Sequence, residues 1–294
     1  MEYSNPELPE DINTSKESSL KEFLILTGGL TGIVFIVISL LILIVDNFAD
    51  KIPFELEKDL PISSFIEKQN TEKLPPYLKS LSQKVINSFT LPEKMNITVH
   101  YVNDDTVNAF ATLGGHIVLY RGLLEKLKHE DEIAMVIAHE VAHIKYRHPI
   151  LSASHGIVVG IVLSVISSSS GDSVVSDLMG TTGMASLMRF SREYEYQSDK
   201  DAINSLMKIY GHAGGALGLF KVFDSEFGKA KSFEFLATHP LTKNRITQTK
   251  EMIESHSISG NHKMLAIPVY FEQWLDEQKE KSDSSNNKKD LKLK

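Results

Sequence analysis

The chain of 294 residues contains no cysteine. Disulfides are thereby excluded, and so are thiolate metal sites, so any bound metal must rest on His, Asp and Glu. The absence fits an oxidising compartment. Positive charge is also in short supply, with 31 Lys and Arg against 38 Asp and Glu and a net charge of −7. A phosphate-binding surface needs clustered Lys and Arg, and such a cluster is confined to the C-terminal "NNKKDLKLK". Nucleic acid is not an expected partner. The length suits one substantial domain with appendages, or two small ones.

Apolar sequence, by contrast, is concentrated. Residues 1–22 are polar and acidic and read as a solvated tail. Residues 23–45, "FLILTGGLTGIVFIVISLLILIV", carry no charge over 23 positions, enough to span a bilayer as a helix. An acidic, long N-terminal flank and the lack of a small-x-small cleavage site favour a retained anchor over a cleaved signal peptide. Lysines flank both sides, so the positive-inside rule barely discriminates. A short tail before a long domain favours a cytoplasmic tail and an exported domain.

The expected folded domain is 46–275, and 276–294 is expected to be a disordered charged tail. "NITVHYVN" alternates apolar and polar residues as a strand does. "ATLGGHIVLYRG" reads as a second, with a Gly-Gly turn before "HIVLY". "HEDEIAMVIAHEVAHIKYRH" is a helix with acidic residues in its first turn. A second apolar run, Gly156–Ser167, is short for a span and is read as a buried or membrane-grazing helix. A long helix runs through "MGTTGMASLMRFSREYEYQSDKDAINSLMKIY", and further helices follow.

Within the first of these helices lies His139-Glu140-Val141-Ala142-His143. Residues four apart share a helix face, so the two imidazoles can take two corners of a zinc tetrahedron. Glu140 then sits beside the open position, where it can take a proton from water activated there. Burying these groups in "IAMVIAHEVAHI" without a partner would be costly, which favours a metal over a chance pattern. A third ligand must be His, Asp or Glu, with His148, His155, His239 and the run "SREYEYQSDKDA" as candidates. In that run Glu195 and Asp199 are one turn apart, so one can ligate while the other holds a ligand imidazole. Glu193 falls on another, solvated face.

The stretches "NAFATLGGHIVLYRGLL", "AHEVAHIKYRH", "SREYEYQSDKDA" and "THPLTKNRI", in that order, resemble the HtpX/Oma/BepA-type zinc metallopeptidases, a family that also contains the CAAX prenyl proteases. The resemblance covers 74–255. It implies an α+β, mostly helical, zincin-like domain with a small sheet, tethered by one N-terminal helix. It further implies one Zn2+ held by His139, His143 and Glu195, with Glu140 as base and Asp199 behind a ligand. His239 would lie near the metal, able to fill its open position at rest. Gly114, Gly115, His116 and Ile117 correspond to an edge strand above the zinc, along which a polypeptide would pair; a plain hairpin turn is the alternative. Arg192 and Arg245 would hold helices through carboxylate pairs. Ser198 and Leu113 stand where the family usually has alanine and proline; neither change removes a ligand.

The implied activity is a membrane-anchored zinc endopeptidase for misfolded or misassembled proteins, set in a Gram-negative envelope with its domain in the periplasm. The alternative is a chaperone-type binding factor with a latent, His239-blocked metal site. A prenyl-CAAX protease would need a multi-span chamber, against which a single clear span argues.

Overall fold

Helix α1 (Ser19–Phe48) begins within the expected tail and runs past the expected anchor on both sides. None of its residues is buried, and Leu26 and Phe35 are each 72% exposed. It is long and apolar enough to cross a membrane. The computed structural model describes residues 19–48, 51–58, 66, 71–166, 190–226, 235–255 and 263–290.

After α1 come α2 (Phe54–Lys58), the two-residue strand β1 (Thr71–Glu72) and α3 (Pro76–Ile86), with Pro76 at its first position, where the missing N–H costs nothing. Strands β2 (Thr98–Val102), β3 (Ala109–Thr112) and β4 (His116–Tyr120) follow. The sheet order is β1-β2-β4-β3, with β2 and β4 parallel and β3 and β4 antiparallel. Side chains alternate between faces. Ala109, Ala111, Ile117 and Leu119 enter the main core, while Phe110, Val118 and Tyr120 meet Ile66, Ile150 and Ala153 in a smaller cluster behind it.

The expected edge strand at 114–117 needs correcting. Gly114 and Gly115 belong to the turn joining β3 to β4, at φ 74° and 80°. His116 and Ile117 lie on β4, which is hydrogen-bonded on both sides. The edge is β3. The turn is buried and tightly enclosed: a Cβ on Gly115 would lie 2.1 Å from the Asn96 carbonyl oxygen. The Gly114 N–H donates to Glu57 Oε2 at 3.0 Å, and Glu57 is ion-paired with Arg147, whose Nη2 also donates to the Ile52 carbonyl at 2.8 Å. The residues just after α1 are thus clamped onto the β3–β4 turn.

Short α4 (Arg121–Leu124) leads to the central helix α5 (Glu130–Lys145). Its first turn holds Glu130, Asp131 and Glu132, which suit a helix N-terminus, and Glu132 accepts from the Lys128 and His129 backbone N–H groups. Arg147, in the left-handed region at φ 63°, breaks the chain before α6 (His148–Ile166). Helix α6 contains most of the apolar run from Gly156 and packs on α1, with His155 Nε2 2.6 Å from Asp46 Oδ1.

Helices α7 (Arg192–Tyr210) and α8 (Gly214–Glu226) pack against α5. Residues 179–189 of the expected long helix lie outside the described residues. Next are α9 (Phe235–Thr238), α10 (Lys243–Ser255) and α11 (Val269–Asp290). The last corrects a second expectation: 276–290 is helical, not a disordered tail. Phe271 and Leu275 are buried and Trp274 stacks on Phe271 and against Tyr101, so α11 is seeded by core contacts and continues into polar sequence.

Candidate metal centre

Four buried side chains from three elements converge. On α5, His139 and His143 aim their Nε2 atoms at one point, 3.0 Å apart. From α7, Glu195 places Oε2 3.4 Å from His139 Nε2 and Oε1 3.5 Å from His143 Nε2. Ser191 starts this helix by accepting from the Tyr194 N–H, which sets Glu195 in its first turn. From the end of α9, His239 brings Nδ1 to 3.2 Å from His139 Nε2 and 2.9 Å from Glu195 Oε1. Its backbone N–H donates to the Phe235 carbonyl at 2.8 Å and its ring stacks on Phe235.

These donors fit a divalent ion. A tetrahedral zinc with bonds near 2.0–2.1 Å has ligand atoms separated by about 3.3 Å, and the gaps between His139, His143 and Glu195 run from 3.0 to 3.5 Å. The chemistry agrees: two imidazoles and a carboxylate form a set that zinc accepts with an open position. Glu140 sits alongside, fully buried, with neither carboxylate oxygen hydrogen-bonded and His239 Nε2 3.5 Å away.

The surroundings set the electrostatics. Asp199, one turn beyond Glu195, puts Oδ1 3.1 Å from His139 Nδ1. Arg245 of α10 pairs with both Asp199 and Glu195. Burial works to raise the pKa of these two carboxyls. For Asp199 the Arg245 guanidinium and His139 outweigh it, and for Glu195 His239, Arg245 and the His139 and His143 imidazoles do, so both are held below the usual range. Burial raises Glu140, which suits a group that must take up a proton. For His139, burial is outweighed by Asp199 and Glu195, which lift it to about 10. His143, which faces no carboxylate at its back, goes the other way: burial holds it well below its ordinary value and keeps the imidazole neutral, the form that can ligate a metal.

Among the residues singled out in the sequence, His139, Glu140, His143, Glu195, Asp199 and His239 are brought together. His155 is elsewhere, bonded to Asp46. His148 faces the back of His143, Nδ1 to Nδ1 at 3.0 Å, rather than the cluster. Arg245 holds carboxylates, whereas Arg192 and Glu193 are exposed. Phe190, stacked on His143 at 3.9 Å, escaped the sequence reading because a lone apolar residue carries no periodic signal.

A buried HExxH helix, a carboxylate from a distant helix and a second, fully buried glutamate beside them define a metallopeptidase. The chain belongs to peptidase family M48, whose model matches residues 72–253. It is similar to the β-barrel assembly-enhancing proteases of Escherichia coli (26% identity over 193 residues, 62% of this chain and 39% of that protein) and Yersinia pestis (28% over 194 residues, 60% and 38%). It is also similar to the mitochondrial metalloendopeptidase OMA1 of Schizosaccharomyces pombe (28% over 180 residues, 60% of this chain and 51% of that protein). The chain thus spans about half or less of the length of these curated relatives.

Proposed function

We propose that this chain is a membrane-anchored zinc endopeptidase that cuts misfolded or misassembled polypeptides. The observation that carries the reading is the meeting of His139, His143 and Glu195 around one point, with the buried Glu140 at its side. Those three residues would hold the zinc, whose role is to polarise the scissile carbonyl and the attacking water. Glu140 takes the proton from that water and delivers it to the leaving amine. Asp199 keeps the His139 ring oriented through Nδ1.

The polypeptide adds as a strand along β3, in place of the stretch at 114–117. Helix α5 packs against β3, and the Ala111 N–H favours the charged form of Glu140, so this edge runs past the base. Backbone pairing there reads shape rather than side chains, which suits unfolded substrates. Helix α1 anchors the domain in the bilayer. Its setting by resemblance is the Gram-negative inner membrane, with the domain in the periplasm, and the relatives named for β-barrel assembly support it.

One observation favours a second reading. His239 Nδ1 is close to both His139 and Glu195, where it would be within reach of a metal held by them. The site would then be latent until His239 withdraws, and the chain could act as a binding or chaperone factor. The experiment is cleavage of an unfolded protein by the full chain in detergent, with chelator, with zinc restored, and as Glu140→Gln. Chelator and the variant should each abolish cleavage, by at least about 100-fold for the loss of a general base. A Glu140→Gln chain that cleaves like the natural one overturns the peptidase reading.

A further inference from the structure

We propose that His148 is a positioning residue that fixes the tautomer of His143, so that His143 offers a bare Nε2 to the metal; this rests on the zinc reading above.

Imidazole Nε2 can ligate only when the ring's proton sits on Nδ1. For His139 that proton is drawn to Nδ1 by Asp199 Oδ1 at 3.1 Å. His143 has no such carboxylate at its back. Its Nδ1 faces Nδ1 of His148 at 3.0 Å, so one proton must lie between two nitrogens. Which ring owns it is decided one step further out. His148 Nε2 lies 3.2 Å from Gln197 Oε1, an amide oxygen that can only accept. His148 therefore carries its proton on Nε2, presents a lone pair at Nδ1, and accepts from the His143 Nδ1–H. The order of donation runs from His143 through His148 to Gln197, and it leaves His143 Nε2 free.

The placement is specific. On a continuous helix a residue five positions on points roughly 140° away, so His148 could not reach the back of His143. The left-handed Arg147, at φ 63°, breaks the helix and brings His148 round. The imidazole is 1% exposed, lies nearly parallel to Tyr194 at 4.1 Å and 11°, and stacks with Tyr146 at 5.6 Å and 20°. The ring plane is thus fixed by packing, and the hydrogen bonds choose among the orientations that remain.

Shape and hydrogen bonding can be separated by substitution. His148→Phe keeps an aromatic ring among the tyrosines but removes the acceptor, while His148→Asn supplies an amide oxygen near the position of Nδ1. Gln197→Leu removes the outer acceptor that selects the tautomer. The measurement is zinc affinity of the full chain in detergent against a zinc-buffering chelator, with the visible spectrum of the cobalt-substituted protein alongside. His148→Phe should bind zinc about 10–100-fold more weakly, the usual cost of losing a ligand's outer partner. His148→Asn should recover most of that loss and Gln197→Leu should fall between, with the cobalt spectrum altered in His148→Phe and restored in His148→Asn. Equal zinc affinity in the natural chain, His148→Phe and His148→Asn overturns the inference, as does equal loss in both His148 variants. If His148→Phe fails to fold, Gln197→Leu decides: an affinity within twofold of the natural chain overturns the inference. A natural chain that binds no zinc would instead sink the zinc reading, so the two failures are distinct.

Discussion

Arg245 grips Asp199 through two parallel hydrogen bonds, Nε to Oδ2 and Nη2 to Oδ1, both 2.8 Å, and its third nitrogen lies 2.6 Å from Glu195 Oε2. One guanidinium therefore fixes the two buried acidic residues of the site on α7, Glu195 and Asp199, using the fork geometry that a lysine lacks. Arg245→Leu removes the one permanent cation from two buried carboxylates, leaving them only imidazole partners, and should cost about 3–5 kcal/mol of stability. Arg245→Lys should cost less while still weakening metal binding. Chemical denaturation of both variants checks this, and equal stability of Arg245→Leu and the natural chain would refute it.

Glu195 is 1% exposed and meets both imidazoles. Glu195→Ala should lower the zinc content of the purified chain to well below one per molecule, and Glu195→Gln should recover little, because an amide lacks the charge. Elemental analysis beside the natural chain is the measurement. Unchanged zinc in Glu195→Ala would remove this residue from the ligand set.

Two glycines with similar backbones separate strain from crowding. Gly115 (φ 80°) faces the Asn96 carbonyl oxygen, whereas Gly211 (φ 75°), closing α7, has open space around its missing Cβ. Gly211→Ala should cost only about 1 kcal/mol, that of a left-handed cap without glycine. Gly115→Ala must move backbone as well and should cost about 2–3 kcal/mol. Thermal melts of the two variants give the comparison directly, and equal costs would contradict it.

Metal removal should make stability depend on pH above neutrality. His139 is raised from 6.5 to about 10, so its contribution in metal-free protein is complete below pH 6.5 and is lost as pH rises through about 10. A bound ion takes the proton's place, so metal-loaded protein should lack this decline. Asp199 acts in the opposite sense: it lies below its ordinary 3.8, so its contribution is complete above that value and lost as pH falls through the depressed one. Melting temperatures of chelated and zinc-loaded protein from about pH 2 to about pH 11 would reveal both limbs. Parallel curves above pH 7 would count against the His139 assignment.

Much of the site could be read from spacing because its residues sit at helical intervals. His139 and His143 on α5, and Glu195 and Asp199 on α7, are each pairs one turn apart, so a face could be assigned without coordinates. The sheet was less legible. That "HIVLY" is an inner strand depends on its parallel pairing with Thr98–Val102, a long-range choice that alternation cannot encode. The His148 contact was hidden for a different reason, since it depends on a left-handed residue that no glycine or asparagine announces. The polar end of α11 misled by composition: "SDSSNNKKD" looks unstructured alone, but it continues a helix begun by Phe271, Trp274 and Leu275.

The clamp formed by Ile52, Glu57 and Arg147 also decides where the protein can be cut free of its long apolar N-terminal helix. A water-soluble version that starts after Lys58 deprives the Gly114 N–H of its acceptor and Arg147 of two partners at once. One that starts at Lys51 keeps all three, so the useful boundary lies just past the end of α1 rather than at the first turn of the peptidase.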